Sequence, residues 1–513
     1  MLESMVSEPL RTVLWPGSIS LVFIVVKPKQ DLKRIHHIIY NIFFHPLRKY
    51  PGPKLAAWTN AAHSWWFLSG RQPFIYVRLH EKYGPVVRTA PNELSFNTAQ
   101  SFKDIYGIRQ GHKPFIKGDF YAGGTFAARG VTSIVSERDP AKHAQMRRLL
   151  AHAFSLTSLR EQEELIAGTV DHFVDLVKIK TCDQGGVFDL SKGYEKMAFD
   201  IIGDLAFGEK FGALDSDTTH PWIATLLGAL TKGAMADTFK RFPTAAKAIH
   251  ILAAKQISKL YEDTEENEDM AIELINKRIN TKTSRKDFMT RILEYRDEGR
   301  HDVSDLQLAA HSWDLVAGGS ETTSTALSCV TFYLLRHPDI GERLKSEVRG
   351  AFTSPSEIDE ASTKDLRYLT AVCLEAMRIY PPLPLNLPRL VPEGGDTVDG
   401  HFLPAGVTVQ TNYMAAGLDG RNFTDPLAFK PERWLDSAAN KSDILEASQP
   451  FSLGARGCIG KSLGWMEMRT TLAKLFLTLD MELVDKEMDW LRESRMHTLW
   501  QKPRLEVRAT LAR

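Results

Sequence analysis

The stretch Phe451-Ser452-Leu453-Gly454-Ala455-Arg456-Gly457-Cys458-Ile459-Gly460 decides how this chain reads. One cysteine sits in a glycine-rich turn, with Arg456 two residues before it. A helical pattern follows from Lys461 to about Leu479. Glycines let the backbone approach a flat ligand and turn amide groups toward the sulfur. Helix-end amides and the neighbouring Arg456 both favour Cys458 as an anion. Haem iron is one partner that such a thiolate serves. On spacing alone, a buried structural cysteine is the more frequent outcome.

The rest of the composition narrows the setting. The chain has 513 residues, with 64 basic against 63 acidic side chains, so charge gives no reason to expect nucleic acid as a partner. No Pro/Gly/Ser-rich linker divides it and no internal repeat stands out, which favours one large domain. The four cysteines, Cys182, Cys329, Cys373 and Cys458, form neither a disulfide framework nor a CxxC pair, as suits a reducing compartment.

Ser304 to His337 is the longest periodic stretch, with a capping-box pattern at Ser304 and Gln307 and Pro338 just past its end. Such a helix would cross the whole molecule as a buried rod. In its middle sit Gly318-Gly319-Ser320-Glu321-Thr322-Thr323. Mid-helix glycines are unfavourable by about 1 kcal/mol each. A close helix crossing with a capped polar cluster is the plainest explanation. Asp139 to Phe154 reads as a helix with His143 and Arg147 on one face. Tyr368 to Ile379 reads as another, carrying Glu375 and Arg378. A loop-rich region, Ile105 to Thr132, carries Phe115, Phe120 and Phe126, either as a satellite core or as a pocket wall. The acidic run Glu262 to Glu268 reads as a solvated face.

Together these motifs resemble the cytochromes P450, whose haem signature Phe-x-x-Gly-x-Arg-x-Cys-x-Gly is matched by Phe451, Gly454, Arg456, Cys458 and Gly460. The resemblance covers the chain from about Asn41 to the end. It implies a mainly α fold with small β-sheets around a long central helix. It implies haem b ligated by the Cys458 thiolate, with propionates held by His143, Arg147, Arg389 and Arg456. Gly318 and Gly319 would make room for O2 at an irregularity of the long helix. Thr322 would hydrogen-bond the bound oxygen, and Glu321 would relay protons. Glu375 and Arg378 with Arg433 of Pro431-Glu432-Arg433 would form a buried network that locks the cysteine loop. Phe115, Phe120, Phe126, Leu383, Leu385, Leu387 and Met496 would line the substrate pocket.

The N-terminal end resembles the fungal microsomal form. Val13 to Val26 is apolar but only about 14 residues long, short of the about 20 that span a bilayer. Lys27, Lys29, Lys33 and Arg34 follow, then the proline-rich run Tyr50-Pro51-Gly52-Pro53. The resemblance implies a membrane-associated segment over 1–50 and a catalytic domain over 51–513. It places the latter on the cytosolic face of the endoplasmic reticulum as a monomeric catalytic unit. A monooxygenase of this type takes O2, an apolar terpenoid, polyketide or alkaloid-like substrate, and electrons from a separate NADPH–cytochrome P450 reductase. Its rivals are a reductase-independent P450 that isomerises or dehydrates peroxides, a haem-binding sensor, and a helical membrane-associated scaffold without haem.

Overall fold

The computed structural model describes residues 28–512 apart from 219, 253, 282, 284, 286, 298–302 and 436–441. The apolar Val13–Val26 stretch lies outside the described residues. Among the described residues, no helix is long and apolar enough to cross a membrane.

Ser304 caps the longest helix, Asp305–Arg336, its hydroxyl accepting from the Gln307 N–H at 3.1 Å. The second half of the capping box is not made, because the Gln307 side chain donates to the Thr132 carbonyl at 3.3 Å. At 1.5 Å per residue this helix is about 48 Å long. It is buried from Leu308 to Leu334 except at Gly318, Gly319 and Thr322. A helix buried all round is a core rod, and helices Leu190–Phe207, Ala254–Asn280, Arg367–Ile379 and Lys461–Thr478 pack against it. Among the described residues 59% are helical and 9% lie in strands, which is the mainly α fold expected.

Five short strands form the main sheet, in the order Val86–Ala90, Glu93–Phe96, Thr408–Thr411, Arg389–Leu390, Ile116–Lys117. The first two form an antiparallel hairpin turning at Pro91 and Asn92. The last two pair antiparallel, with Lys117 directly opposite Arg389. A separate apolar cluster lies against this sheet. It includes Leu47, Tyr50, Leu94, Phe102, Phe115 and Val409, so the chain is already part of the core by Leu47.

Asp237 lies inside helix Pro221–Arg241 and pairs with Arg241 at 2.7 Å, and Pro243 starts the next helix. Gly394 to Gln410 holds three strands, because Asp396–Val398 and His401–Leu403 close their own hairpin before Thr408–Thr411 joins the sheet. Glu268 is not on a solvated face. It is buried and holds the Arg129 guanidinium at 2.6 Å and the Phe126 N–H at 2.5 Å.

Candidate active site

Two residues with left-handed backbone, Ser452 (φ 58°) and Gly454 (φ +67°), fold the cysteine loop back on itself, and the Cys458 N–H donates to the Phe451 carbonyl at 2.8 Å. Gly460 then starts the helix Lys461–Thr478. Cys329 and Cys373 are buried and Cys182 is half-buried, whereas Cys458 is exposed. Surrounding protein raises its thiol pKa, and the Gly460 N–H, Arg147 and Lys461 pull it back down. The helix-end amide acts as expected. The neighbouring cation does not, because Arg456 turns away to the carbonyls of Glu137 (2.7 Å) and Arg138 (2.9 Å). Arg147, whose Nη1 donates to the Gly457 carbonyl at 2.6 Å, takes that place.

Behind the loop, Glu375 is fully buried and accepts five hydrogen bonds. Its Oε1 takes Arg378 Nη2 (2.7 Å), the Lys430 N–H (2.9 Å) and Arg433 Nε (3.0 Å). Its Oε2 takes Arg378 Nε (2.8 Å) and Trp434 Nε1 (2.9 Å). Arg433 also pairs with Asp443. Both guanidiniums stack over Phe423. The three residues picked out in the sequence do meet. Asp443 and Trp434 complete the set and were missed, since nothing in their spacing marks them.

In front of the loop the charge balance is opposite. Lys117, Arg147, Arg389 and Arg456 all act on His143, Arg389 and Arg456 act on Lys117, and Arg147 acts on Cys458. Pairing of two strands sets Lys117 beside Arg389, an arrangement that like charges disfavour. Burial and the neighbouring Arg456 and Arg389 bring Lys117 down to about 6. Burial and the same cations bring His143 to about 3, so it stands there as a neutral ring and not as the cation expected. Nη1 of Arg389 is buried without a hydrogen-bond partner. The nearest acids are already engaged. Glu137 accepts from the Asp139 N–H and the Thr132 hydroxyl, both at 2.7 Å, and Asp314 from the Val135 N–H at 2.9 Å. Among the described residues, none of the five bases forms an ion pair. Lys117 was not singled out in the sequence. Its flanking aromatics, Phe115 and Tyr121, were the available signal, and Lys117 stands 5.2 Å from the Tyr121 ring.

On the long helix, Gly318 is exposed although the helix around it is buried, and a Cβ there would meet nothing within 4 Å. Gly319 does other work. A Cβ there would lie 2.8 Å from Ile202, so this glycine permits the crossing of helix Leu190–Phe207. The helix runs through unbroken. The Thr322 hydroxyl donates to the Gly318 carbonyl at 2.6 Å, and the opening comes from the missing side chain at Gly318, not from a bulge. Glu321 is buried and paired with Lys502 at 2.8 Å.

The family profile described as Cytochrome P450 matches residues 51–509. The chain is a cytochrome P450. It is 49% identical to cytochrome P450 monooxygenase ORF11 of Penicillium roqueforti, over 87% of this chain and 91% of that one. It is 46% identical to cytochrome P450 monooxygenase BipB of Cochliobolus sativus (92% and 94%) and 36% identical to trichothecene C-15 hydroxylase of Fusarium sporotrichioides (96% and 98%). Family membership makes it an oxidoreductase that carries haem b on a cysteine thiolate.

The side chains of this P450 fit that group. Five bases that form no ion pair among the described residues suit two propionates, Gly318 leaves a gap that a Cβ would fill, and the exposed Cys458 stands beside Arg147. The expected pocket wall is only partly accessible. Phe126 and Met496 have no accessible surface and lie in the main core. Phe115 is packed in the cluster against the sheet, the satellite-core alternative, and Leu387 rests on the same cluster. Leu385 is buried in the main core; Leu383 and Phe120 are half-buried, Phe120 lying 6.4 Å from Phe67.

Proposed function

We propose that the chain is a haem-thiolate monooxygenase that inserts one oxygen atom of O2 into an apolar small molecule of fungal secondary metabolism, and that the Cys458 thiolate would hold its haem. The observation that carries this reading is the cluster of five bases without an acid partner beside the exposed cysteine. It asks for a ligand with two negative charges and a flat body. When bound, that group supplies oxygen activation and electron transfer.

The chain supplies the rest. Arg147 and the Gly460 N–H stabilise the thiolate. Arg389, Arg456, Lys117 and His143 hold the propionate side. The Glu375 network fixes the loop in register. Gly318 keeps space open above the thiolate, Thr322 holds a proton at Oγ1, and Glu321 passes protons toward it. Phe120 and Leu383 border the substrate. The relative named as a trichothecene C-15 hydroxylase supports hydroxylation as the reaction.

Electrons come from NADPH through a separate NADPH–cytochrome P450 reductase. The exposed Lys142, Arg148 and Lys461 around the cysteine loop form the basic surface for it. The catalytic unit is a monomer on the cytosolic face of the endoplasmic reticulum. Its membrane side is the exposed apolar surface of Phe43, Phe44, Leu55, Trp58 and Trp65.

A reduced carbon-monoxide difference spectrum beside Cys458→Ala tests the assignment. The thiolate Soret band appears in the wild type and is lost in the variant. A folded wild type without the band, or a variant that keeps it, removes Cys458 from the mechanism. Product formation from a terpenoid panel with the reductase, and none without it, separates this reading from the peroxide-isomerising and sensor alternatives.

A further inference from the structure

Glu321 stands next to Thr322 in sequence, but its side chain does not point into the opening at Gly318. Residues 318 and 322 lie about 40° apart around a helix, and residue 321 stands about 60° to one side of the first. There Glu321 faces a second cavity of about 240 Å³, enclosed by helix Leu190–Phe207, the long helix and the segment after strand Leu499–Gln501. Glu195, Lys192, His497, Lys502 and Arg504 share its wall with Glu321. Lys502 is buried there. Its Nζ donates to Glu321 Oε2 at 2.8 Å and to Ser324 Oγ at 3.2 Å. Buried charges of this kind need a reason, because a packed apolar pair of similar size would be as stable or more so.

We propose that this cavity is the proton inlet of the enzyme, with Glu195 as the carboxyl that exchanges protons with solvent and Lys502 as the residue that positions Glu321 between the inlet and Thr322. The inference rests on the monooxygenase reading above. That reaction, RH + O2 + 2 e⁻ + 2 H⁺ → ROH + H2O, takes up two protons per turnover, with both electrons from NADPH through the reductase.

Every charged group around Glu195 has a part. Burial lifts its pKa to about 7, and Glu321 adds to the lift from the long helix. Lys502 lowers it from the C-terminal segment, Lys192 lowers it from its own helix, and Asp189 raises it. His497 and Arg504 complete the wall. The balance leaves a carboxyl that both takes and gives a proton at neutral pH, as a general acid–base group requires.

The test uses the full-length holoprotein with purified reductase, superoxide dismutase and no added substrate, so that reduced oxygen is collected as H2O2, released directly or by dismutation of superoxide, or as water. Glu195→Gln is expected to keep the carbon-monoxide band, to raise the H2O2 released per NADPH by about two-fold or more, and to flatten the pH profile of NADPH oxidation around 7. An infrared titration of the carboxyl band, which needs no turnover, should lose a component near pH 7 in the same variant. Glu195→Asp, which keeps the acid, should keep the pH dependence with a moved midpoint, and serves if Glu195→Gln does not fold. Unchanged H2O2 yield and pH profile with an intact band would overturn the inlet. Absence of the band in the wild type would instead overturn the haem-thiolate reading.

Discussion

Two clusters of buried charge lie on either side of the cysteine loop, and they are opposites. Behind it, Arg378 and Arg433 meet Glu375 and Asp443, two positive groups against two negative, with Glu375 accepting five hydrogen bonds. Ahead of it, Lys117, His143, Arg147, Arg389 and Arg456 form no ion pair among the described residues, although Glu137 and Asp314 lie near enough to act on Lys117. Two of them are pushed toward neutrality, and one guanidinium nitrogen is left unbonded. A closed cluster needs nothing more and acts as a fastener. An open one is a receptor, unfavourable until its counter-charge arrives. Counting charges by sign tells scaffold from site where counting charged residues does not.

The comparison can be broken most directly at Glu375. Replacing it with alanine strands two buried guanidiniums, at about 3–5 kcal/mol. Urea unfolding and the yield of soluble protein should show that loss. A loss under about 1 kcal/mol would mean that the cluster behind the loop is not closed. Arg389→Met should act with two signs. Removing one of several mutually repelling bases leaves the haem-free protein as stable as before or more so, while haem binding weakens about tenfold. Haem titration of the apoprotein followed by thermal melts reads both. Loss of apoprotein stability together with unchanged haem affinity would contradict an open cluster.

Lys117 sharpens the same contrast through pH. Its folded pKa, about 6, lies below the ordinary lysine value, so between the two the unfolded chain binds more protons. Apoprotein stability from this group therefore rises with pH above about 6 and is lost as pH falls through it. Haem binding needs the charged form, so it should weaken as pH rises over the same window, by up to about tenfold per unit. Lys117→Met should flatten both curves. The smallest effect is expected at the paired glycines. Gly318→Ala fits without contact and should stabilise the apoprotein by about 1 kcal/mol while filling the opening. Gly319→Ala forces Ile202 aside and should destabilise it. Melting temperatures of the two variants should move in opposite directions.

The sequence carried the contiguous parts of this molecule. The capped long helix can be read from a short pattern whose chemistry is local, whereas the roles of the cysteine loop and of Glu375, Arg378 and Arg433 were legible through the resemblance to the P450 family. Residues whose role depends on pairing across the chain could not be read so. Lys117 becomes part of the site only because a two-residue strand sets it opposite Arg389. Lys502 and Glu195 meet Glu321 from distant segments. Arg456 lies two residues from the cysteine and yet bonds elsewhere, so nearness in sequence misassigned a charge that Arg147 supplies. Gly318 and Gly319 look alike in sequence and differ only in what stands opposite each.

Gly454 bears on how the enzyme can be changed. It holds φ +67°, and any Cβ there would run into the carbonyl of Tyr106, at the end of helix Ala99–Tyr106. The Tyr106 hydroxyl donates to the Leu387 carbonyl at 2.9 Å and its ring lies 5.4 Å from Arg389. Position 454 is thus a fixed point for directed evolution. Libraries that vary it will return mostly inactive clones. Under the proposed function, diversity aimed at new substrates is better spent on the half-buried Phe120 and Leu383.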